Sequence, residues 1–346
     1  IQDLIPDEEQ ILTLSARGYI KRTSLDEYQE QRRGGKGRRG MRRRQEDLAQ
    51  DIFVASTHSY LLVFTAKGLL FRVPVYAVPS SHRDAIGTPI INLVPIEKDD
   101  RIASVLSIRS FDEEVDLFFC SKKGLVKKTS LNKYRNVRTS GLIAYECNDG
   151  DELLAVQKAS DTQRIFITTK LGFAIHFEGS DVRQMGRRTR GVRGIQLRDG
   201  DEICGITMLE TDAESLLLTV TEKGYGKRSS ASEYRVQKRG GMGIIDIRTG
   251  DRNGMVAGTV HVDDSDAVIL ITNKGQVIRI PVRNIRETRR NTLGVRLMKV
   301  GKGERIVSIA KLAESDEDSE MEDNLDENTV ETAESADESE EASGEE

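Results

Sequence analysis

Leu61-Leu62-Val63-Phe64, followed by Thr65-Ala66-Lys67-Gly68, is an apolar run of strand formers that breaks into a short polar turn and ends on glycine. Such a run reads as a buried strand entering a hairpin whose turn needs a residue at positive φ. The same order recurs five times. Ile11-Leu12-Thr13-Leu14 precedes the turn ending at Gly18, Leu117-Phe118-Phe119-Cys120 that at Gly124, and Ile165-Phe166-Ile167-Thr168 that at Gly172. Leu216-Leu217-Leu218-Thr219-Val220 precedes Gly224, and Val268-Ile269-Leu270-Ile271 precedes Gly275. The six glycines are spaced by 50, 56, 48, 52 and 51 residues, and no helical period runs through any of the segments before them.

Each unit continues into a second pair of strand-like runs. Pro89 to Val94 goes with Ile102 to Ile108, and Gly194 to Leu197 with Ile203 to Ile206. Polar turns such as Asn148-Asp149-Gly150-Asp151 and Arg198-Asp199-Gly200-Asp201 punctuate these pairs. Six units of four short strands predict an all-β, six-bladed, propeller-like disc of four-stranded antiparallel blades, which limits exposed sheet edges by closing on itself. Two separate sandwiches or barrels are the rival, and the even spacing of the units argues against them.

Two kinds of unit alternate. Ten residues after the turn glycine, units one, three and five carry Tyr28, Tyr134 and Tyr234, whereas units two, four and six carry Val78, Val182 and Ile285. Odd units place a further glycine at Gly35, Gly141 and Gly241; even units place theirs two residues later, at Gly87, Gly191 and Gly294. Odd units also share a string of cations and hydroxyls that includes Lys127-Lys128 and Lys227-Arg228. The pattern is a two-blade unit used three times.

Cations concentrate in the loops after these positions. Unit one reads Gln31-Arg32-Arg33-Gly34-Gly35-Lys36-Gly37 and runs on through Arg38, Arg39, Arg42, Arg43 and Arg44. Three glycines in seven residues let the backbone approach a partner closely, and so dense a positive charge suits a polyanion. Unit five carries a near-copy, Gln237-Lys238-Arg239-Gly240-Gly241-Met242-Gly243, and unit three keeps Arg138 there. In even units the run Arg187, Arg188, Arg190 and Arg193 matches a run in which Arg290 stands for Arg187 and Arg296 for Arg193, with Arg289 just before it, and Arg83 precedes Gly87. In a closed disc, equivalent places form a ring, and a ring of positive loops is a track for a bent duplex.

Charge divides the chain in the same sense. From Ala313 to Glu346 there are 17 acids and no Lys or Arg; of the 57 acids in the chain that leaves 40, against all 52 Lys and Arg, a net of +12. A basic body with an acidic tail points to a nucleic-acid partner and to a tail able to imitate it. The tail has few large apolar residues and is expected to be disordered. Cys120, Cys147 and Cys204 are scattered, without metal-knuckle spacing, as in a reducing compartment. No signal peptide or membrane-length apolar run is present, and the chain opens on Ile1, which fits a piece of a longer polypeptide. A soluble, cytoplasmic protein is the expectation. His58, His82, His176 and His261 are isolated, with His176 in a strand and read as packed; no catalytic or metal site emerges. Gly224 to Ser229 lacks phosphate-loop spacing and follows a hairpin. A propeller enzyme and a protein-binding scaffold are the competing classes.

Residues 1–312 resemble the C-terminal domain of the bacterial DNA gyrase A protein, and Gln31 to Gly37 matches that family's signature heptapeptide, the gyrase box, at every position. The resemblance implies a six-bladed β-pinwheel in which neighbouring blades exchange a strand, with duplex DNA wrapped positively around the rim. It implies a lead-in over 1–10, a wrapping domain over 11–312 and an acidic tail over 313–346. It further implies a cleavage core earlier in the same polypeptide and a gyrase B partner in an A2B2 assembly. ATP and Mg would be used on other domains, with no cofactor in this one, and the isolated domain would be a monomer. The related topoisomerase IV domain, which lacks an intact box, is the alternative within the same superfamily.

Overall fold

The computed structural model of the chain describes residues 4–15, 18–24, 49–82, 85–211, 214–274 and 276–313. The heptapeptide at 31–37, its extension to Arg44, Tyr28, Arg83 and the acidic tail beyond 313 lie outside those residues.

Each of the six apolar runs before a turn glycine is a strand, and Gly18, Gly68, Gly124, Gly172 and Gly224, which close the turns, all stand at positive φ. Unit one supplies β1 (Glu9–Ser15), β2 (Tyr19–Ser24) and β3 (Ala49–Ser56). Unit two supplies β4 (Tyr60–Thr65), β5 (Leu69–Pro74), the two-residue β6 (Thr88–Pro89) and β7 (Ile102–Ile108). Units three and four repeat the order as β8 (Asp116–Ser121), β9 (Leu125–Ser130), β10 (Leu142–Ile143), β11 (Leu153–Ala159), β12 (Gln163–Thr169), β13 (Phe173–Glu178), β14 (Val192–Arg193) and β15 (Ile203–Glu210). Units five and six add β16 (Leu216–Thr221), β17 (Tyr225–Ser230), β18 (Ile244–Ile245), β19 (Val256–Val262), β20 (Asp266–Thr272), β21 (Val277–Pro281), β22 (Val295–Arg296) and β23 (Ile306–Ala313).

The second half of each unit departs from the expected antiparallel pair. Pro89 to Val94 is a two-residue strand that turns into a 3₁₀ segment, and Gly194 to Leu197 follows a strand rather than forming one. The long later strand folds back on the first strand of its own unit, as β7 does on β4 and β15 on β12. The short strand leaves its unit and pairs with the second strand of the preceding blade: β6 with β2, β10 with β5, β14 with β9, β18 with β13 and β22 with β17. The sheet orders β3-β1-β2-β6, β10-β5-β4-β7, β11-β8-β9-β14, β15-β12-β13-β18 and β19-β16-β17-β22 are thus five strand-exchanged blades. The sixth sheet has the order β21-β20-β23 among the described residues.

The long strands β3, β7, β11, β15, β19 and β23 stand innermost and line a central channel of about 1190 Å³; β23 lies against β3 and closes the ring. Each innermost strand carries a β-bulge at the same end of its pairing. The architecture is a six-bladed β-pinwheel.

The core lies between blades. Phe64 on β4 meets Phe119 on β8 edge-on at 5.6 Å, and Tyr145 stacks on Phe119 at 6.1 Å. Tyr134 and Tyr234 are buried wedges in odd units, as Val78, Val182 and Ile285 are in even ones. His176 is buried beside the Phe166 ring and shares a 3.0 Å hydrogen bond with the Tyr234 carbonyl, and burial lowers its pKa. Among the described residues no helix is long and apolar enough to cross a membrane, and no group of three His, Cys, Asp or Glu could hold a metal.

Candidate nucleic-acid interface

Strand exchange decides where the basic loops lie. To reach the preceding blade, the chain between the second strand and the short strand must cross that blade's outer edge. Single bridges of Arg22 to Ser80, Lys128 to Gln184 and Arg228 to Glu287 mark three of these crossings. The loop of unit four therefore runs over blade three, and that of unit six over blade five. A glycine at positive φ precedes each landing: a Cβ at Gly191, Gly87 or Gly294 would press on the backbone of the strand being joined, in the last case at 2.7 Å from the Gly226 oxygen. In unit five this part is taken by Gly243, with φ of 69°, rather than Gly241. The expected odd-even offset of this glycine therefore fails in unit five, whereas unit three keeps it, with Gly141 at positive φ against the Phe71 ring.

Of the cations expected on the rim, Arg138, Arg188, Arg190, Arg193, Lys238, Arg289 and Arg296 are exposed, and Arg187, Arg239 and Arg290 are half-buried. Arg32, Arg33, Lys36 and Arg38 to Arg44 lie outside the described residues.

Four expected rim cations are buried or nearly so, and the expectation is corrected for them. Lys227 is 0 % exposed and so is its partner Asp246, with Nζ to Oδ1 at 3.0 Å; Ser229 and Tyr234 hydroxyls complete the cage. Burial pulls the Lys227 pKa down against the pull of Asp246. Lys127 is also fully buried, but it has no carboxylate: it donates to the Ala144 carbonyl at 2.6 Å and to those of Gly186 and Arg187, above the Phe119 and Tyr145 rings. Burial, then the Arg187 guanidinium, pushes its ammonium down to about 7, while carbonyl acceptors favour its charged form. Lys128 pairs with Asp161 and donates to the Gly179 carbonyl. Arg228 is nearly buried and pairs with Asp264. The physical reason is common to all four. Blades three and five pack on both faces of β9 and β17, so alternation along these two strands carries all four cations into an interface.

The near-copy of the heptapeptide is described in full. Gln237 N–H donates to the His176 carbonyl and Gly240 N–H to that of Gly194. Arg239 is turned inward, its guanidinium bridging the Asp181 and Arg193 carbonyls, whereas Lys238 stays 87 % exposed beside Asp181. Within one loop, then, one cation is a bracket and its neighbour faces outward.

The sequence reading missed a second set of cations, in units three to six. Immediately after the buried wedge come Arg135, Arg183, Arg235 and Arg286, all exposed, with Arg135 paired to Asp112. The signal was available: all four stand eleven residues after a turn glycine. The rim is not uniform. Unit two exposes Ile86 on its loop over blade one and Ile91 in the 3₁₀ segment after β6, at 68 % and 60 %. The loops over blades three to five carry most of the described rim cations.

Comparison with known proteins bears on this geometry. The family profile described as DNA gyrase C-terminal domain, beta-propeller, matches residues 9–56, 59–109, 116–160, 163–207, 215–262 and 266–313, one segment per unit. The DNA gyrase A protein of Lawsonia intracellularis is 40 % identical over 331 residues, covering 95 % of this chain and 40 % of that protein. The DNA gyrase A protein of Escherichia coli K12 is 38 % identical over 322 residues, covering 93 % and 37 %. The chain thus spans about 40 % of the length of such relatives. Among solved structures, a C-terminal domain of DNA topoisomerase IV superposes with a TM-score of 0.78 at 27 % identity, covering 94 % of this chain and 99 % of that one. A DNA gyrase A C-terminal domain superposes with a TM-score of 0.66 at 23 % identity, covering 88 % and 100 %, a likeness of fold.

Proposed function

The chain belongs to the DNA gyrase C-terminal β-propeller family, and on that premise we propose that it binds duplex DNA along its outer rim and wraps it with positive handedness. The observation that carries this reading is the succession of exposed cations, from Arg138 and Arg183 to Arg286 and Arg296, on loops that cross the outside of successive blades. Bending a 20–30 bp site by 40–90° costs on the order of 1–6 kcal/mol. Many phosphate contacts spread along an arc, each releasing counterion, can offset that cost where one deep pocket cannot. Contacts of this type position the duplex and read little sequence.

In the whole enzyme the wrapped arm would be presented to the DNA gate as the segment to be passed, so that ATP hydrolysis drives negative supercoiling. The cleavage core of the same polypeptide and the gyrase B protein, in an A2B2 assembly, would be the protein partners. ATP and Mg would act on those other domains, within the bacterial cytoplasm at the nucleoid. The heptapeptide Gln31 to Gly37 would clamp one end of the wrap. The gyrase A relatives and the intact heptapeptide favour gyrase over topoisomerase IV.

The test is topological. A nicked plasmid sealed by ligase with the full chain bound, then stripped of protein, should carry positive linking-number changes that grow with protein concentration. A relaxed product at every concentration would reject wrapping.

A further inference from the structure

Odd blades hold a lysine three residues after the turn glycine, and the three described examples use it in two ways. Lys227 of blade five spends its charge on Asp246. In blade three the place of Asp246 is taken by Ala144, as the alignment of β10 with β18 requires. Lys127 there has only carbonyl acceptors, and two of the three, Gly186 and Arg187, belong to the basic loop of unit four. Lys21 of blade one acts in the same sense, its Nζ reaching the Ala85 carbonyl of the unit-two loop at 2.9 Å.

The unit-four loop is gripped at further points. Met185 N–H donates to the Lys128 carbonyl at 2.7 Å, and the Tyr145 hydroxyl to the Arg190 carbonyl at 2.9 Å. The carbonyls of residues 186, 187 and 190 are thereby drawn inward. Three partial negative charges that would face phosphate are taken from the surface, while Arg188 and Arg190 remain exposed. The unit-six loop has no lysine brace of this kind. It is held by the Ser229 hydroxyl on the Thr288 carbonyl at 2.7 Å, and Arg290 turns its own guanidinium inward to the Ile245 carbonyl at 2.8 Å. At the remaining matching places that loop has Asn291 and Leu293 where unit four has Arg188 and Arg190.

We infer that Lys127 is a positioning residue for DNA: its buried ammonium braces the loop backbone at residues 186 and 187, beside the Tyr145 hold on 190, so that the arginines of that loop meet phosphates along the wrap. This rests on the DNA-wrapping reading above. It makes blade three a principal grip of the rim, set by a lysine that itself never touches DNA.

The test uses the full chain and a duplex long enough to wrap, with affinity measured across a salt series and thermal unfolding measured in parallel. Lys127→Met removes the brace. Ala144→Asp offers Lys127 the carboxylate that Lys227 has, drawing the ammonium from the loop while keeping the site paired, and serves if the methionine variant fails to fold. Each lost phosphate contact lowers the slope of log K against log salt by about 0.9. The expected result for a folded variant is a slope shallower by about 1 to 3 and less positive writhe in the ligation assay. Lys127→Arg, which keeps charge and donors, should recover at least part of both. A folded Lys127→Met or Ala144→Asp chain with the full wild-type slope and writhe overturns the inference. If the wild-type chain itself shows neither salt-dependent binding nor writhe, it is the wrapping reading that fails.

Discussion

At the residue scale the lesson lies in the lysines. Lys127 and Lys227 sit in cationic strings that resemble DNA-contacting sequence, and both are fully buried. Their charge gives no sign of it; their place does, three residues after the turn glycine and so within β9 and β17, whose blades present both faces to neighbouring blades. What the sequence did disclose is the wedge position: a Tyr or a β-branched residue ten places after the turn glycine is buried in every described unit. Lys227 and Asp246 form an ion pair with no solvent contact, so removing one member strands the other. Asp246→Ala is expected to destabilise the chain by roughly 3–5 kcal/mol, whereas Lys227→Met with Asp246→Leu should recover much of that loss, since apolar replacement of both members is often neutral. Urea unfolding of the two variants beside wild type decides the matter. If the single variant unfolds at the wild-type midpoint, the pair contributes nothing to the fold.

At the element scale the hairpins were legible and the exchanged strands were not. A six-residue apolar run with a glycine turn announces itself by β-propensity and punctuation. A two-residue strand such as Ile244–Ile245 has no period to detect, and its partner β13 lies in another unit. The glycine before it is the better sign. Gly243 stands at φ of 69°, and a Cβ there would lie 2.5 Å from the Ala174 carbonyl oxygen, so both conformation and space exclude a side chain. Gly243→Ala should therefore cost about 1–3 kcal/mol, the range for a residue held in a sparsely populated region. Amide exchange should rise selectively at Ile244, Ile245 and the facing part of β13. By contrast Gly200, with φ of 72° in a turn with open space, pays only the conformational part, and Gly200→Ala should destabilise less. Equal losses at the two glycines would show that the landing contact is immaterial.

At the scale of the whole molecule, six units, closure and the basic-body, acidic-tail division could be read from the chain, but the distribution of charge around the rim could not. That distribution depends on which cations strand exchange turns outward. Arg183, Arg235 and Arg286 follow the wedge in three consecutive units, and the geometry of exchange carries each to the outside of the blade before its own. If they lie along the path of the duplex, they act as three separate phosphate contacts rather than one site. Replacing all three by Gln should then reduce the salt slope by about 2.7, at roughly 0.9 per contact, with little dependence on DNA sequence. All three are exposed, so the unfolding midpoint should change little. Replacing Arg138 by Gln as a fourth change should add a further step of about 0.9, because Arg138 is exposed on the unit-three loop, which by the same exchange joins blade two. A duplex that follows the arc must register every contact removed from it. An unchanged slope in the triple variant, with unchanged stability, would mean that DNA takes another route across the disc.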